Sequence, residues 1–267
     1  MLWQATVHAL RRMRQNPGYA ATSVLTLALT IGGNTAMFTV IRAVLLKPLP
    51  YPDSDELVTM PGGATPSRFA EMRTAAHSLA GLGAFSGEET LTLSGRGEPE
   101  VLKGARVSAS FLPILGAHAM RGRGFRTQED LPGAPPVVMI SAELWQRRFA
   151  GDPGIVGQTA AFAGAPYTIV GILPPHFRFP FPDLDVWMTA PLEWPAMPAK
   201  SRAMSPFLSM FGRLKPGVGL EQASAELKVI RRRYAMAHPA ALDAKARKAV
   251  EVIAMKDGLV AGVQSML

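Results

Sequence analysis

The chain has 267 residues, a formal net charge of +8, five histidines and no cysteine. That length supports one large domain or two small ones, each with its own core. The lack of cysteine excludes a disulfide framework, a thiolate zinc site, an iron–sulfur cluster and a cysteine nucleophile. Residues 1–46 contain Arg11, Arg12, Arg14 and Arg42 and no acid, so they hold +4 of the +8. The other half of the charge is spread over the much longer remainder, a mild excess and not a nucleic-acid footprint.

The first stretch, MLWQATVHALRRMRQN, places Leu2, Trp3, Val7, Leu10 and Met13 or Arg14 at helical spacing. It predicts a short amphipathic helix over residues 1–18 lying at the cytoplasmic interface of a lipid bilayer, with Trp3, Arg11, Arg12 and Arg14 at the headgroups. A frayed tail is the alternative. Asn16-Pro17-Gly18 separates it from Tyr19–Leu46, 28 residues with a single charge, Arg42. As a helix this run is about 42 Å long. Roughly 20 residues cross a hydrocarbon core, so residues 19–46 read as a transmembrane helix. The arginines before it and Asp53, Asp55 and Glu56 after it put the N-terminus in the cytoplasm and the rest outside. A cleaved signal peptide and a buried core helix are the other readings. The apolar run is long for a signal, and Asn34-Thr35-Ala36 is a poor cleavage site. Gly32, Gly33 and Asn34 in mid-span suit close packing against other membrane helices, and Thr26, Thr30, Thr35 and Thr39 add hydroxyls. Pro48, Pro50 and Pro52 then force an extended, semi-rigid exit.

Beyond the exit the pattern mixes helices and strands, an α+β arrangement. Ser67–Leu79 reads as a helix. Leu91–Leu93 and Val101–Val107 read as strands around the turn SGRGEPE, and Ala109–Leu115 as a helix ended by Gly116. Val137–Ser141 is a predicted strand, and Glu143–Phe149 a helix closed by Gly151-Asp152-Pro153. Gln158–Phe162 and Tyr167–Ile172 pair as a hairpin across Ala163-Gly164-Ala165-Pro166. Val186–Thr189 and Phe207–Leu214 are further strands. Leu220–Ala237 is a strongly amphipathic helix with Leu220, Ala223, Leu227, Ile230 and Tyr234 on one face. Val250–Ala254 is the last strand.

Motifs for chemistry are missing. There is no G-x-x-x-x-G-K-[ST] loop, no H-E-x-x-H and no G-x-S-x-G elbow. His8, His77, His118, His176 and His238 are scattered. Carboxylates cluster at Glu88-Glu89, Glu129-Asp130 and Asp183/Asp185, and the default reading is solvated turns. Arg231-Arg232-Arg233 lies on the long helix without interleaved aromatics, so it reads as a solvated face and not as an RNA site. In PPHFRFPFPD, Phe177, Phe179 and Phe181 alternate with prolines. They either cover a core edge or form an exposed docking strip. No catalytic, metal or cofactor-binding residue is expected, and the chain does not read as an enzyme.

The run NPGYAATSVLTLALTIGGNTAMFTVIRAVLLKPLPYPD resembles the first transmembrane segment of the MacB-like permeases, most closely their duplicated orphan branch. VSASFLPILGAHAMRGRGF (107–125), VVMISAELWQRRFAGDPGIVGQTAAFAGAPYTIVGILPPHFRFP (137–180), DVWM (185–188) and GRLKPGVGLEQASAEL (212–227) resemble the MacB-type periplasmic core domain in the expected order. Ala119 and Gly33 depart from the usual Pro and Ala. The resemblance implies one membrane helix and a two-lobed outer domain over 47–255. Lobe A would comprise about 50–105 and 206–255, with lobe B inserted at about 106–205. It implies a non-catalytic, FtsX-like permease subunit of an ABC-type export, efflux or mechanotransmission system in the bacterial inner membrane. Its partners would be other permease helices, a cytoplasmic ATPase and a periplasmic adaptor, with a dimer in the family context and no nucleic acid. Family members continue into three more spans, so VIAMKDGLVAGVQSML is expected to begin a second membrane segment over 256–267, and the chain to be a fragment or truncated copy. A single-span tethered binding or scaffold module is the alternative function.

Overall fold

The computed structural model describes residues 17–41, 49–95, 97–131, 133–195, 197–244 and 252–258. The chain divides into two units, Met1–Pro48 and Leu49–Leu267.

In the first unit the described element is helix α1, Pro17–Ile41, with no acidic residue in its first turn and no basic residue in its last. It opens on Pro17, which a first helical turn tolerates because its missing N–H would be unpaired anyway. The hydroxyls of Thr22, Thr26, Thr30 and Thr35 donate to the carbonyls of Gly18, Thr22, Thr26 and Ile31 at 2.7–2.8 Å. Each threonine is thereby satisfied within its own helix, which allows it in an apolar run. Leu25, Leu27, Leu29 and Ile31 are exposed. Among the described residues no helix is long and apolar enough to cross a membrane. The side chains of 36–41 and all of 42–48 lie outside the description, and so do residues 1–16 with the expected interfacial helix.

The second unit is built on one ten-stranded sheet. Its order is β10 (Ile253–Ala254), β1 (Leu57–Ala64), β9 (Leu208–Leu214), β2 (Leu79–Ser94), β3 (Glu100–Val107), β8 (Val186–Met188), β5 (Val137–Ile140), β7 (Ala165–Ile172) and β4 (Arg121–Gly122). β6 (Thr159–Phe162) stands off this path and pairs with β2 and β7. Strands from the two ends of the unit fill one half of the sheet, and strands from 121–188 fill the other. The halves join where β3 and β8 run parallel, with Gly104 opposite Val186.

The helices follow the expected signals. α2 (Pro66–Ala75) starts at Thr65, whose side chain accepts from the Arg68 N–H, a cap that satisfies one orphan donor. It stops short of the predicted Leu79, which begins β2. α3 (Phe111–Leu115) ends on left-handed Gly116. α4 (Ala142–Phe149) is capped by Ser141, and α5 is Ala199–Met204. α6 spans Leu220–Ala237 and buries Ala223, Leu227, Ile230 and Tyr234. Leu220, predicted on the same face, is exposed. The hairpin β6–β7 turns on Ala163 and Gly164, both at positive φ, as a two-residue primed turn requires.

β1 and most of β2 escape the sequence pattern, as does the two-residue β4. β1, LVTMPGGA, carries Pro61 and two glycines. β2 runs for 16 residues although Leu91–Leu93 is all that alternation suggests. Its glycines exist because neighbours crowd them: a Cβ on Gly83 would sit 2.7 Å from Phe211 Cζ, and one on Gly87 2.7 Å from Trp194 Cζ2. Three core clusters result. α2 and α6 cover β1, β2 and β9 on one side through Met72, Leu227 and Met210. α3 and the 177–184 loop cover the middle through Phe111, Trp187 and Phe211. α4 covers the other half through Trp145 and Phe162.

Candidate functional site

The chain comes into the second unit at Leu49 and approaches its end along β10, and both segments are bound to the same strand neighbourhood. Leu49 and Tyr51 pack on the middle core cluster. The Tyr51 ring meets Phe177 edge-on at 6.1 Å, and burial pushes its phenol pKa well above the ordinary range. Residues 50–53 form bends and a turn with Asp53 at positive φ, so the exit expected to be extended is curved here, with Pro50 and Pro52 each fixing its own φ; Pro48 lies outside the described residues. A short 3-10 turn, Ser54–Glu56, then leads into β1.

Arg213 on β9 gathers this region. Its Nη2 donates to the Pro52 carbonyl at 2.9 Å, and its Nη1 to the Asp53 carbonyl and to Glu56 Oε2, both at 3.1 Å. Its Nε donates to the Ile114 carbonyl at the end of α3 at 2.8 Å. One guanidinium fork thus ties the incoming segment to the central sheet and to a helix 99 residues away in sequence. A lysine offers no such planar set of donors. Arg213 stands opposite Leu57, the first residue of β1.

The returning segment is held by a buried acid. Asp243 Oδ2 accepts from Thr65 N–H at 2.9 Å and from Thr65 Oγ1 at 3.0 Å, and Oδ1 accepts from Tyr234 O–H at 3.3 Å. Arg68 Nη1 lies 3.9 Å away, with the two side chains 3% and 1% exposed. The carboxylate sits at the N-terminus of α2, where helix N–H groups and the macrodipole favour an anion. Burial, first, and then the charge of Arg231 lower the Arg68 pKa, while Asp243 and Tyr234 raise it. Among the described residues Arg68 Nε and Nη2 have no hydrogen-bond partner. Beyond this point β10 pairs antiparallel with β1, Val58 opposite Ala254 and Thr59 opposite Ile253. Incoming and returning chains therefore run side by side at the Leu57 end of β1.

The acidic clusters do not converge. Glu88 pairs with Lys103 at 3.7 Å, and Glu89 with Arg106 at 3.0 Å. Burial raises the Glu89 pKa against the opposing effect of Arg106. Glu129 takes two bonds from Arg123. Burial tends to raise its pKa, but the Arg123 and Arg126 contacts win and lower it. Asp130 accepts from the Ala109 and Ala190 N–H groups, and burial raises its pKa. Asp185 pairs with Arg147 at 2.9 Å. Each of these acids closes a turn or a strand pair. Among the described residues no group of histidines and carboxylates is placed to hold a metal ion.

Of the other predicted residues, Gly32 and Gly33 have open space where a Cβ would stand, and Asn34 is exposed beside them. Trp3, Arg11, Arg12 and Arg14 lie outside the described residues. Phe177, Phe179 and Phe181 turn their rings inward. Phe179 is 4% exposed and belongs to the middle core, with Phe177 and Phe181 packed against it. The row of exposed rings that a docking strip needs is therefore absent at Phe179. The alternating prolines bend the loop so that phenyls face the sheet, where hydrophobic burial stabilises them. Arg213 and Asp243 carry no sequence signature, because their partners are more than 150 residues distant in five of the bonds described.

Similarities to known proteins follow this architecture. The sequence matches the MacB-like periplasmic core domain over residues 20–230. The periplasmic region of MacB from Actinobacillus actinomycetemcomitans has 12% identity and a TM-score of 0.58, covering 84% of this chain and 95% of that one. A domain of a putative permease protein from Porphyromonas gingivalis has 18% identity and a TM-score of 0.51, covering 69% and 84%. The extracellular domain of the noncanonic ABC-type transporter YknZ from Gram-positive bacteria has 14% identity and a TM-score of 0.51, covering 74% and 99%. No curated protein matches the sequence. The match over 20–230, together with the mixed sheet, places the chain in the family of MacB-like periplasmic core domains, the outer domains of ABC-type permeases.

Proposed function

We propose that this chain is a permease part of a MacB-like ABC-type export or mechanotransmission system, with no chemistry of its own, whose outer unit relays motion to substrate or to a partner. The observation that carries this reading is the side-by-side pairing of β1 and β10. A domain inserted between two membrane helices needs its two connections to leave at one end, and these do.

Under this reading residues 19–46 cross the bacterial inner membrane, with the N-terminus in the cytoplasm and the second unit outside. What supports the span is the charge-free, 25-residue α1 with its self-satisfied threonines. Trp3, Arg11, Arg12 and Arg14 meet the headgroups. Gly32, Gly33 and Asn34 form the face on which further permease helices pack. Pro48, Pro50 and Pro52 stiffen the link outward. The sheet halves act as two lobes, with about 50–105 and 206–255 carrying the connections and about 106–205 inserted. A cytoplasmic ATPase drives the membrane helices, a periplasmic adaptor or substrate takes up the motion, and the assembly is a dimer.

The test is a topology assay on the full chain. A reporter active only outside the cytoplasm, fused after residue 258, is expected to be active, and the protein to remain in membranes after alkaline carbonate extraction. An inactive reporter, or release by carbonate, overturns the membrane placement.

A further inference from the structure

A cavity of about 190 Å³ lies against β1, β2 and β9, lined among others by Met60, Phe85, Phe179, Ser209, Phe211 and Met255. Its walls come from five separated parts of the chain. The three phenyl rings contact one another edge-on or tilted, with centroids at 4.6–6.1 Å. That leaves positive ring edges and negative faces available at the cavity surface. The two methionines are buried, and methionine reshapes readily around a guest. None of the lining residues is titratable. Thr59, one of the two lining hydroxyl residues, has already donated its Oγ1 hydrogen to the Met210 carbonyl.

The wall is tightly fixed around this space. A Cβ on Gly63 would lie 2.2 Å from the Pro206 carbonyl oxygen, and one on Gly258 2.3 Å from Thr59 Cγ2. The backbone therefore approaches as closely as glycine permits on both sides. The space opens to solvent on one side, so a guest enters from outside; for scale, an enclosed apolar cavity of roughly 150 Å³ is enough to bind benzene.

From the volume, the aromatic lining and the missing charge we infer that this cavity binds a neutral hydrocarbon group about the size of one substituted aromatic ring. A carboxylated ring of the same size binds more weakly, because none of the lining residues carries a charge to meet it and its carboxylate must stay at the open side to keep its water. The inference concerns the outer unit alone and stands whether or not the membrane placement holds.

The probe is toluene, added to the full chain in lipid nanodiscs with 13C-labelled methionine methyl groups. Met60 and Met255 resonances, assigned through Met→Leu variants, are expected to shift and to saturate, while methionines remote from the cavity do not. Benzoate at the same concentrations is expected to shift them much less. Ser209→Leu places a branched chain in the cavity and is expected to weaken toluene binding at least tenfold. Ser209→Ala removes a hydroxyl without adding volume and is expected to bind at least as tightly as the parent. A drift without saturation, equal shifts with benzoate, or full binding by Ser209→Leu overturns the inference. Should Ser209→Leu fail to fold, the toluene–benzoate contrast in the parent and in Ser209→Ala decides.

Discussion

Replacing Arg213 by methionine keeps an unbranched apolar stem and removes the guanidinium with every donor. Four hydrogen bonds at 2.8–3.1 Å disappear, three of them to backbone carbonyls and one to Glu56. Hydrogen bonds to charged groups are each worth about 1.5–3 kcal/mol when buried. Here Glu56 is 34% exposed against 14% for Arg213, so water replaces part of the loss and the ion pair itself contributes little. The Ile114 carbonyl, at the end of α3, has the poorest alternative. A total of about 2–4 kcal/mol is expected, or roughly 5–10 °C in Tm for a domain of this size. Arg213→Lys should recover less than half, because one ammonium cannot serve four acceptors spread over a fork. Thermal unfolding of the full chain reads the total. Amide exchange at 54–58 reads the local part and should rise in Arg213→Met more than exchange on α4, which shares no contact with the clamp. A loss under about 0.5 kcal/mol, the range of an ordinary surface change, would refute the clamp, as would equal acceleration of exchange everywhere.

Four more outcomes follow from the geometry. Gly83→Ala pushes a Cβ to within 2.7 Å of Phe211 and should cost about 1–3 kcal/mol by overpacking. Gly219→Ala, with nothing within 4 Å, should stay within about 0.5 kcal/mol by urea unfolding. Asp243→Asn keeps the shape but removes the charge beside buried Arg68 and should cost about 3 kcal/mol. Arg68→Met combined with Asp243→Asn should recover part of this in a double-mutant cycle, and strict additivity would show that the two do not interact. Glu226 accepts from the His77 and Ser78 N–H groups at 2.9 and 2.8 Å; burial tends to raise its pKa, but these bonds outweigh it and lower it. A depressed carboxylate stabilises above its unfolded pKa and loses that contribution as pH falls through the folded value. The stability gap between the parent and Glu226→Gln should therefore be open at neutral pH and close below about pH 4; a gap constant from pH 7 to 3 would refute it.

Where local pattern and tertiary packing agreed, the sequence was readable. α6 begins and ends at the expected residues because its apolar spacing and its neighbours ask for the same face. The hairpin β6–β7 was legible from Ala163-Gly164, whose backbone angles leave little else possible. β1 and the first half of β2 were not, because Pro61, Gly62, Gly81, Gly83 and Gly87 are the residues that ordinarily mark loops. At Gly81, Gly83 and Gly87 the strand is decided by Ile114, Phe211 and Trp194 pressing on them, contacts that no short window contains. The same holds for the site. The exit prolines announce themselves, whereas Arg213 and Asp243 look like any surface charge until the fold brings distant carbonyls and a helix terminus to them. Phe179 is the converse: its motif looked available, and the core claimed it.

Under the proposed relay, the direction of load explains where the strong contacts sit. The incoming chain passes into β1, whose ladder with β9 runs from Leu57 opposite Arg213 to Met60 opposite Met210. A pull along β1 loads those hydrogen bonds in parallel, so several must give way together, whereas a pull across the strands would open them one at a time. The first rung of that ladder bears the greatest share, and it is there that Arg213 adds bonds to Pro52, Asp53 and Glu56 ahead of the strand. β10 is only two residues long and could not resist alone, and the return is instead held upstream by Asp243 in the base of α2. From β9 the load reaches β2, which at 16 residues pairs with β9, β3 and β6 and so reaches both halves of the sheet. A short β2 would leave the inserted half attached through β3 and β8 alone. Under that reading its length, held by glycines that let side chains close over it, would make the second unit move as one body when its base is moved.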